Sequence, residues 1–228
     1  MNETVLIVGS GLGLSASLAR FFTQKGMKVV LVARNIKKLK NLAKDINAET
    51  VKCDASKITE VKKLFQSTDK LIGVPNLVIY NPSYRIKGSI IELDPVEIQK
   101  AINITCFGAF LVAREAVKRM LTRGSGSIFF TGASASVKGF ANSSVFAMGK
   151  FGLRGLAQSL ARELHPKNIH IGHFIIDGGI RSEKYKKYME DDNLLDPDEI
   201  AKSYLEFYYR HRSAWSWEIE LRPWVENF

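Results

Sequence analysis

A short apolar run, Thr4–Val8, passes directly into Gly9-Ser10-Gly11-Leu12-Gly13 and then into a helical pattern beginning Leu14-Ser15-Ala16-Ser17-Leu18. Glycines at such a junction let the backbone turn tightly and approach a pyrophosphate, while the N–H groups opening the helix receive the anion. Glycine-rich turns are common, but one set after a first strand and before a helix points to a dinucleotide site. Gly9, Ser10, Gly11, Leu12 and Gly13 are therefore the candidate phosphate-cradling residues.

Val- and Ile-rich runs continue to alternate with helix-length segments, the pattern of a mainly parallel sheet. The strands are expected at Thr4–Val8, Lys28–Val32, Thr50–Cys53, Asn76–Tyr80, Gly126–Thr131, Ile169–Ile176 and Trp217–Leu221. Several are almost continuously apolar, as strands covered by helices on both faces should be. Helices are expected at Leu12–Lys25, Ile36–Ile46, Lys57–Leu71, Ala109–Arg123, Phe146–His165 and Ile200–Arg210. Asp94-Pro95-Val96-Glu97 and Asp196-Pro197-Asp198-Glu199 are helix starts, each with an N-cap Asp and Pro at the first helical position. No repeat or linker interrupts the pattern, so the 228 residues read as one α/β domain, a doubly wound, Rossmann-type, seven-stranded sheet.

The second strand bears on the choice of dinucleotide. NAD sites usually carry an acidic residue about 20 positions beyond the glycine loop, for the ribose 2′-hydroxyl. Here nothing acidic lies between Glu3 and Asp45, and the strand ends in Ala33-Arg34-Asn35, followed by Lys37, Lys38 and Lys40. An Arg at that point pairs with a 2′-phosphate, which a carboxylate would repel. The expected cofactor is NADP(H), read by Arg34.

The net charge of +10 favours anionic partners in general. The lysines are nevertheless spread over helices without interleaved aromatics, so solvated helix faces are the preferred reading over a nucleic-acid surface. The continuous apolar runs are too short to span a bilayer, and the start of the chain shows no secretory pattern. Cys53 and Cys106 form neither a disulfide framework nor a metal-ligand spacing. A cytoplasmic protein without a metal site is expected.

With these segments assembled, the chain resembles the short-chain dehydrogenase/reductase family along most of its length. Val51-Lys52-Cys53-Asp54 looks like the family's third strand, whose terminal Asp contacts adenine; Tyr80-Asn81-Pro82-Ser83 lies where the family carries Asn-Asn-Ala-Gly. Asp177-Gly178-Gly179-Ile180-Arg181-Ser182 resembles the Pro-Gly-x-x-x-Thr segment, which implies that Ile180 and Ser182 meet the nicotinamide carboxamide. The resemblance further implies a small-molecule substrate and a homo-oligomer, dimer or tetramer. The final strand, with Trp215, Trp217 and Trp224 around it, lies near a subunit interface in related folds; ordinary core packing of the indoles is the alternative.

The family's site pairs a Ser with a Tyr and a Lys four residues apart on one helix face. Here Lys150 is present, and the resemblance implies that it holds the nicotinamide ribose, but Phe146 stands at the Tyr position and has no exchangeable proton. The Ser position falls on Ala133, with Ser134 next to it and Ser136 a further option; the family's helix Asn falls on Asn103 or on Thr105. The glycine loop is two residues shorter than the family's Gly-x-x-x-Gly-x-Gly. An oxidoreductase with non-standard proton transfer is expected, with Asp177, Tyr80, Tyr84 or Ser134 as candidate proton-handling groups, alongside a cofactor-binding protein without turnover. The charged stretch Arg181–Leu195, including Tyr185 and Tyr188, is expected to line the substrate pocket.

Overall fold

The computed structural model describes residues 3–182 and 193–225. Seven parallel strands form one sheet: β1 (Thr4–Val8), β2 (Lys28–Ala33), β3 (Glu49–Lys52), β4 (Leu77–Tyr80), β5 (Gly126–Thr131), β6 (Ile169–Ile176) and β7 (Glu218–Leu221). Their order is β3-β2-β1-β4-β5-β6-β7. The intervening helices are α1 (Leu14–Gln24), α2 (Lys40–Asp45), α3 (Ile58–Leu71), α4 (Pro95–Ile102), α5 (Gly108–Arg123), α6 (Ser144–Leu164) and α7 (Pro197–Tyr209).

Side chains alternate across a strand, so each central strand feeds two cores. Leu6, Val8, Val30, Val32, Val78 and Ile128 face one side, against Val61 and Phe65 of α3, Val112 and Met120 of α5, and Leu153 and Ala157 of α6. Val5, Ile7, Val29, Leu31, Ile79 and Phe129 face the other, against Leu18 and Phe22 of α1, Leu42 of α2, and Tyr204 and Phe207 of α7. The edge strands β3 and β7 are only partly covered and carry Glu49, Lys52, Glu218 and Glu220. The chain leaves β1 in one direction for β2 and β3, and later returns to build outward from β4. That reversal opens a crevice beyond the C-terminal ends of β1 and β4, where doubly wound sheets bind ligands.

Both Asp-Pro starts form as expected: Asp94 accepts from the Val96 N–H at 2.9 Å, and Asp196 from the Asp198 N–H at 2.8 Å. Several expected boundaries move by one or two residues, α6 starting at Ser144 rather than Phe146, and two helices show why. The first begins at Leu14 rather than Leu12, because Gly13 is its N-cap and Leu12 projects from the loop, 68% exposed. The second divides into a 3₁₀ turn, Ile36–Leu39, and the short α2, because the Asn35 side chain accepts from the Lys37 N–H and tightens the entry. Between α4 and α5 the helix widens into a π-turn, Asn103–Phe107. The combined stretch Pro95–Arg123 is long and apolar enough by composition to cross a membrane, although no uninterrupted apolar run in it is. Ala109, Val112, Ala113, Ala116 and Met120 are buried in the core, and this is a core helix.

Candidate functional site

The glycine loop is held by its own backbone. The Gly9 and Ser10 N–H groups both donate to the Val32 carbonyl, at 3.0 and 2.8 Å. Gly9 has φ +82°, and a Cβ there would meet the Pro82 nitrogen at 2.6 Å. The Ser10 hydroxyl donates to Ile7 O at 2.8 Å and accepts from the Val32 N–H, so it staples β1 to β2. Asn81 braces the loop from β4, its amide donating to Ser15 Oγ at 2.7 Å. By contrast, a Cβ at Gly11 or Gly13 would meet nothing within 4 Å among the described residues. α1 has no acidic residue in its first turn and no side-chain cap. The loop thus presents a bare helix start toward the crevice, a chemistry that fits a pyrophosphate.

Two cavities share Gly9 and Asn81. The first, about 370 Å³, runs over the ends of β2 and β3 and includes Ser10, Arg34, Lys38, Asp54 and Ser56 in its wall. Arg34 and Lys38 are exposed at its mouth. Asp54 accepts from the Ser56 N–H and hydroxyl at 3.1 and 2.7 Å. Partial burial works against its charge, but those bonds, with Lys57 and Arg34 nearby, hold the carboxyl below the usual carboxylate range. The donor set, two cations beside a carboxylate acceptor, fits an adenosine bearing a 2′-phosphate.

The second cavity, about 610 Å³, lies on the other side of the loop and is lined by Gly11, Gly13, Arg85, Ser134, Phe140, Ile180 and Ser182, among others. Of the serine alternatives, Ser134 is the one in this wall. Ser136 is buried and its hydroxyl lies 3.4 Å from His173 Nε2, while accepting from the Ala133 N–H. His173 Nδ1 in turn lies 2.9 Å from Glu218, which pairs through both oxygens with Arg154. Burial pushes His173 down to about 4, so it is neutral at pH 7.

Phe146 and Lys150 share a face of α6, with Nζ 5.9 Å from the ring centroid. Lys150 is buried and donates to the Thr131 carbonyl at 2.7 Å, and it is not among the residues lining either cavity. Burial pushes its ammonium down to about 8. Arg85 also lies over the Phe146 ring, its guanidinium carbon 5.0 Å from the ring centroid. Thr105, inside the π-turn, is buried, accepts from the Tyr84 N–H at 3.2 Å and lies where a Cβ on Gly149 would touch it. Bulges of this kind recur at functional sites. Asn103 begins the same turn.

All four candidate proton-handling groups have partners, the Ser134 hydroxyl donating to the Asp177 carboxylate. Asp177 is paired with Lys138 at 3.1 Å and Arg222 at 3.5 Å. Burial opposes its charge, yet the Ser134 hydroxyl and these cations hold the carboxyl below its usual range, so it is ionised at neutral pH and cannot donate a proton. Tyr80 is buried in the core with its hydroxyl on Ile104 O, and burial pushes its phenol up. Tyr84 donates to Glu97 at 2.7 Å. Tyr185 and Tyr188 lie outside the described residues. Arg85 was not marked by any motif; an isolated Arg in a loop has no spacing to betray it. The C-terminal indoles divide: Trp215 stacks on His170 at 4.4 Å, Trp217 lies under Arg154, and Trp224 is exposed.

The profile of the family described as short chain dehydrogenase matches residues 3–193. A carbonyl reductase family member 4 from Danio rerio is 25% identical over 215 residues, 90% of each chain. A solved short-chain dehydrogenase from Rhodopseudomonas palustris shares 34% identity, covering 98% of this chain and 100% of that one with a TM-score of 0.86. A metagenomic short-chain oxidoreductase, solved in complex with NADP, has the same fold at 21% identity, 98% coverage of each chain and a TM-score of 0.85. By the extent of the profile match, the chain belongs to the short-chain dehydrogenase family.

Proposed function

We propose that the chain is an NADP(H)-dependent oxidoreductase acting on a carbonyl or alcohol, with a proton path that does not use a tyrosine. The carrying observation is the pair of cavities that meet at Gly9 and Asn81, with Arg34 and Lys38 at the far end of one and Ser134, Ile180 and Ser182 in the other. Gly9 to Gly13 and the start of α1 hold the pyrophosphate. Asp54 accepts from the adenine, and Arg34 pairs with the 2′-phosphate. The relative solved with NADP supports the same cofactor here. A bound nicotinamide dinucleotide supplies a hydride to a carbonyl carbon, or removes one from an alcohol.

The Ser134 hydroxyl, which rests on Asp177, turns to hydrogen-bond the substrate oxygen at the cavity wall. Phe146 exchanges no proton and supports Arg85 of the cavity wall through its ring. Water, ordered by Ser134, is then the source of the proton, and the missing phenol costs a factor of about 10²–10⁴ in rate. Lys150 acts through Thr131 O and its charge. The free thiols of Cys53 and Cys106 suit a reducing cytoplasm. The exposed apolar side chains Phe110 and Leu121 of α5 and Phe151 of α6 support a homo-oligomer, which light scattering on the purified protein tests.

The test of the cofactor is calorimetric titration with NADPH and NADH. Arg34→Ala weakens NADPH by about tenfold or more and leaves NADH nearly unchanged; equal losses for both refute the role of Arg34, and no binding of either by wild type refutes the cofactor. One observation favours a second reading, a dinucleotide-binding protein without turnover: Phe146 has no proton, and the Lys150 ammonium is sunk against Thr131 O. NADPH binding with no oxidation across a panel of aldehydes and ketones decides for that reading.

A further inference from the structure

The second cavity has an electrostatic asymmetry. Among the described residues its wall contains two cations, Arg85 and Arg181, and no carboxylate. Arg181 is paired with Asp196 at 3.1 Å. Arg85 has no ion pair among the described residues; its one specific contact is the Phe146 ring, 5.0 Å from its guanidinium carbon. A ring face steadies a guanidinium without neutralising it, and leaves its in-plane N–H donors available. The result is a positioned, charged fork in the same wall as Ser134, at the residue that replaces the proton donor.

Resting on the oxidoreductase reading above, we propose that Arg85 recognises the substrate, and that the substrate class is a carbonyl or alcohol compound bearing a carboxylate, such as a small oxo acid or hydroxy acid. A planar carboxylate matches the guanidinium fork through two parallel hydrogen bonds. With the carboxylate held there, the neighbouring carbonyl oxygen is offered to Ser134. In the reducing direction a hydride from the reduced dinucleotide forms the new C–H bond. The carbonyl π pair moves to oxygen, and that oxygen takes its proton from water through Ser134. Arg85 gives up no proton; its charge stabilises the developing alkoxide. The same residue therefore selects the substrate and offsets part of the loss of the phenol.

The experiment uses the full chain loaded with NADP⁺ and two probes of nearly equal shape, oxamate with its carboxylate and the neutral oxamide, titrated by calorimetry. Wild type binds oxamate about tenfold more tightly than oxamide. Arg85→Leu abolishes that preference while NADP⁺ affinity stays within about twofold and thermal unfolding is unchanged, Arg85 being exposed. Arg85→Lys restores part of it, as a point charge without the fork. Equal binding of the two probes by wild type overturns the proposal, as does an oxamate preference that survives in Arg85→Leu. An Arg85→Leu variant that loses NADP⁺ to the same degree assigns Arg85 to the cofactor and also overturns it. Failure of wild type to bind NADP⁺ instead removes the dinucleotide reading on which the proposal rests, an outcome separable from loss of probe discrimination alone.

Discussion

Acidification from pH 8 to pH 5 should remove several kcal/mol of stability through two histidines in β6. Burial pushes His170 to about 4; its bond to Ser216 O works the other way, while His165 and Arg210 add repulsion. Burial likewise pushes His173 to about 4, against the opposing pull of Glu218. In the unfolded chain both titrate near 6.5. Between those values the unfolded state binds the protons and the folded state does not, so stability falls as pH falls through the window. At pH 5 the difference is roughly 2 kcal/mol for each ring, about 4 together, against a typical domain total of about 5–15. The low-lying carboxylates Asp54, Asp177 and Glu218 act with the same sign only at lower pH. Urea unfolding followed by tryptophan fluorescence at pH 8, 6.5 and 5 reads the effect. His170→Phe isolates half of it: the ring lies between Trp215 at 4.4 Å and Phe207 at 4.8 Å, nearly parallel to both, and its buried Nδ1 has no hydrogen-bond partner among the described residues. Whatever its stability at pH 8, this variant should lose about 2 kcal/mol less than wild type on going to pH 5. An identical loss in the two proteins, or a wild type equally stable at both pH values, refutes the reasoning.

Phe146→Tyr returns a phenol to the face of α6 shared with Lys150, and should raise NADPH-dependent reduction of simple aldehydes by about 10²-fold; an unchanged rate shows that Ser134 or the pocket, rather than the proton alone, limits turnover. Gly9→Ala forces a Cβ into Pro82 at a φ of +82°. Its left-handed backbone alone costs about 1–2 kcal/mol, so urea unfolding should show at least that loss together with weakened NADPH binding, and a change below about 0.5 kcal/mol contradicts the described loop.

The sheet was legible because its central strands are apolar on both faces: Thr4–Val8 and Ile169–Ile176 appear at the residues expected. The Asp-Pro caps were legible because capping is local chemistry, complete within four residues of chain. What escaped depends on contacts distant in sequence. Nothing near Tyr80 reveals that its hydroxyl meets Ile104 O, or near Asp177 that Lys138 and Arg222 converge on it. The π-turn at Asn103–Phe107 escaped for a different reason, since one residue added to a helical turn leaves its apolar periodicity almost intact. Arg85 becomes informative only once Phe146 is seen beneath it.

The Ser134 wall is pinned from behind by a chain of polar groups that ends on the edge strand. Arg154 of α6 holds Glu218 of β7, Glu218 holds His173 of β6, and His173 faces Ser136, whose hydroxyl accepts the Ala133 N–H. Thr131, just before this turn, is tied on both sides: its carbonyl accepts from Lys150, and its hydroxyl lies 2.9 Å from that of Tyr204 in α7. Helices from both layers thereby fix the one turn that carries Ser134. A neutral His173 suits this arrangement, because a second cation beside the buried Lys150 would be repelled. Phe146 of α6 has no proton to exchange, and its ring steadies the Arg85 guanidinium. Such rigidity favours chemistry in which orientation and charge, rather than a protein proton donor, carry most of the rate enhancement.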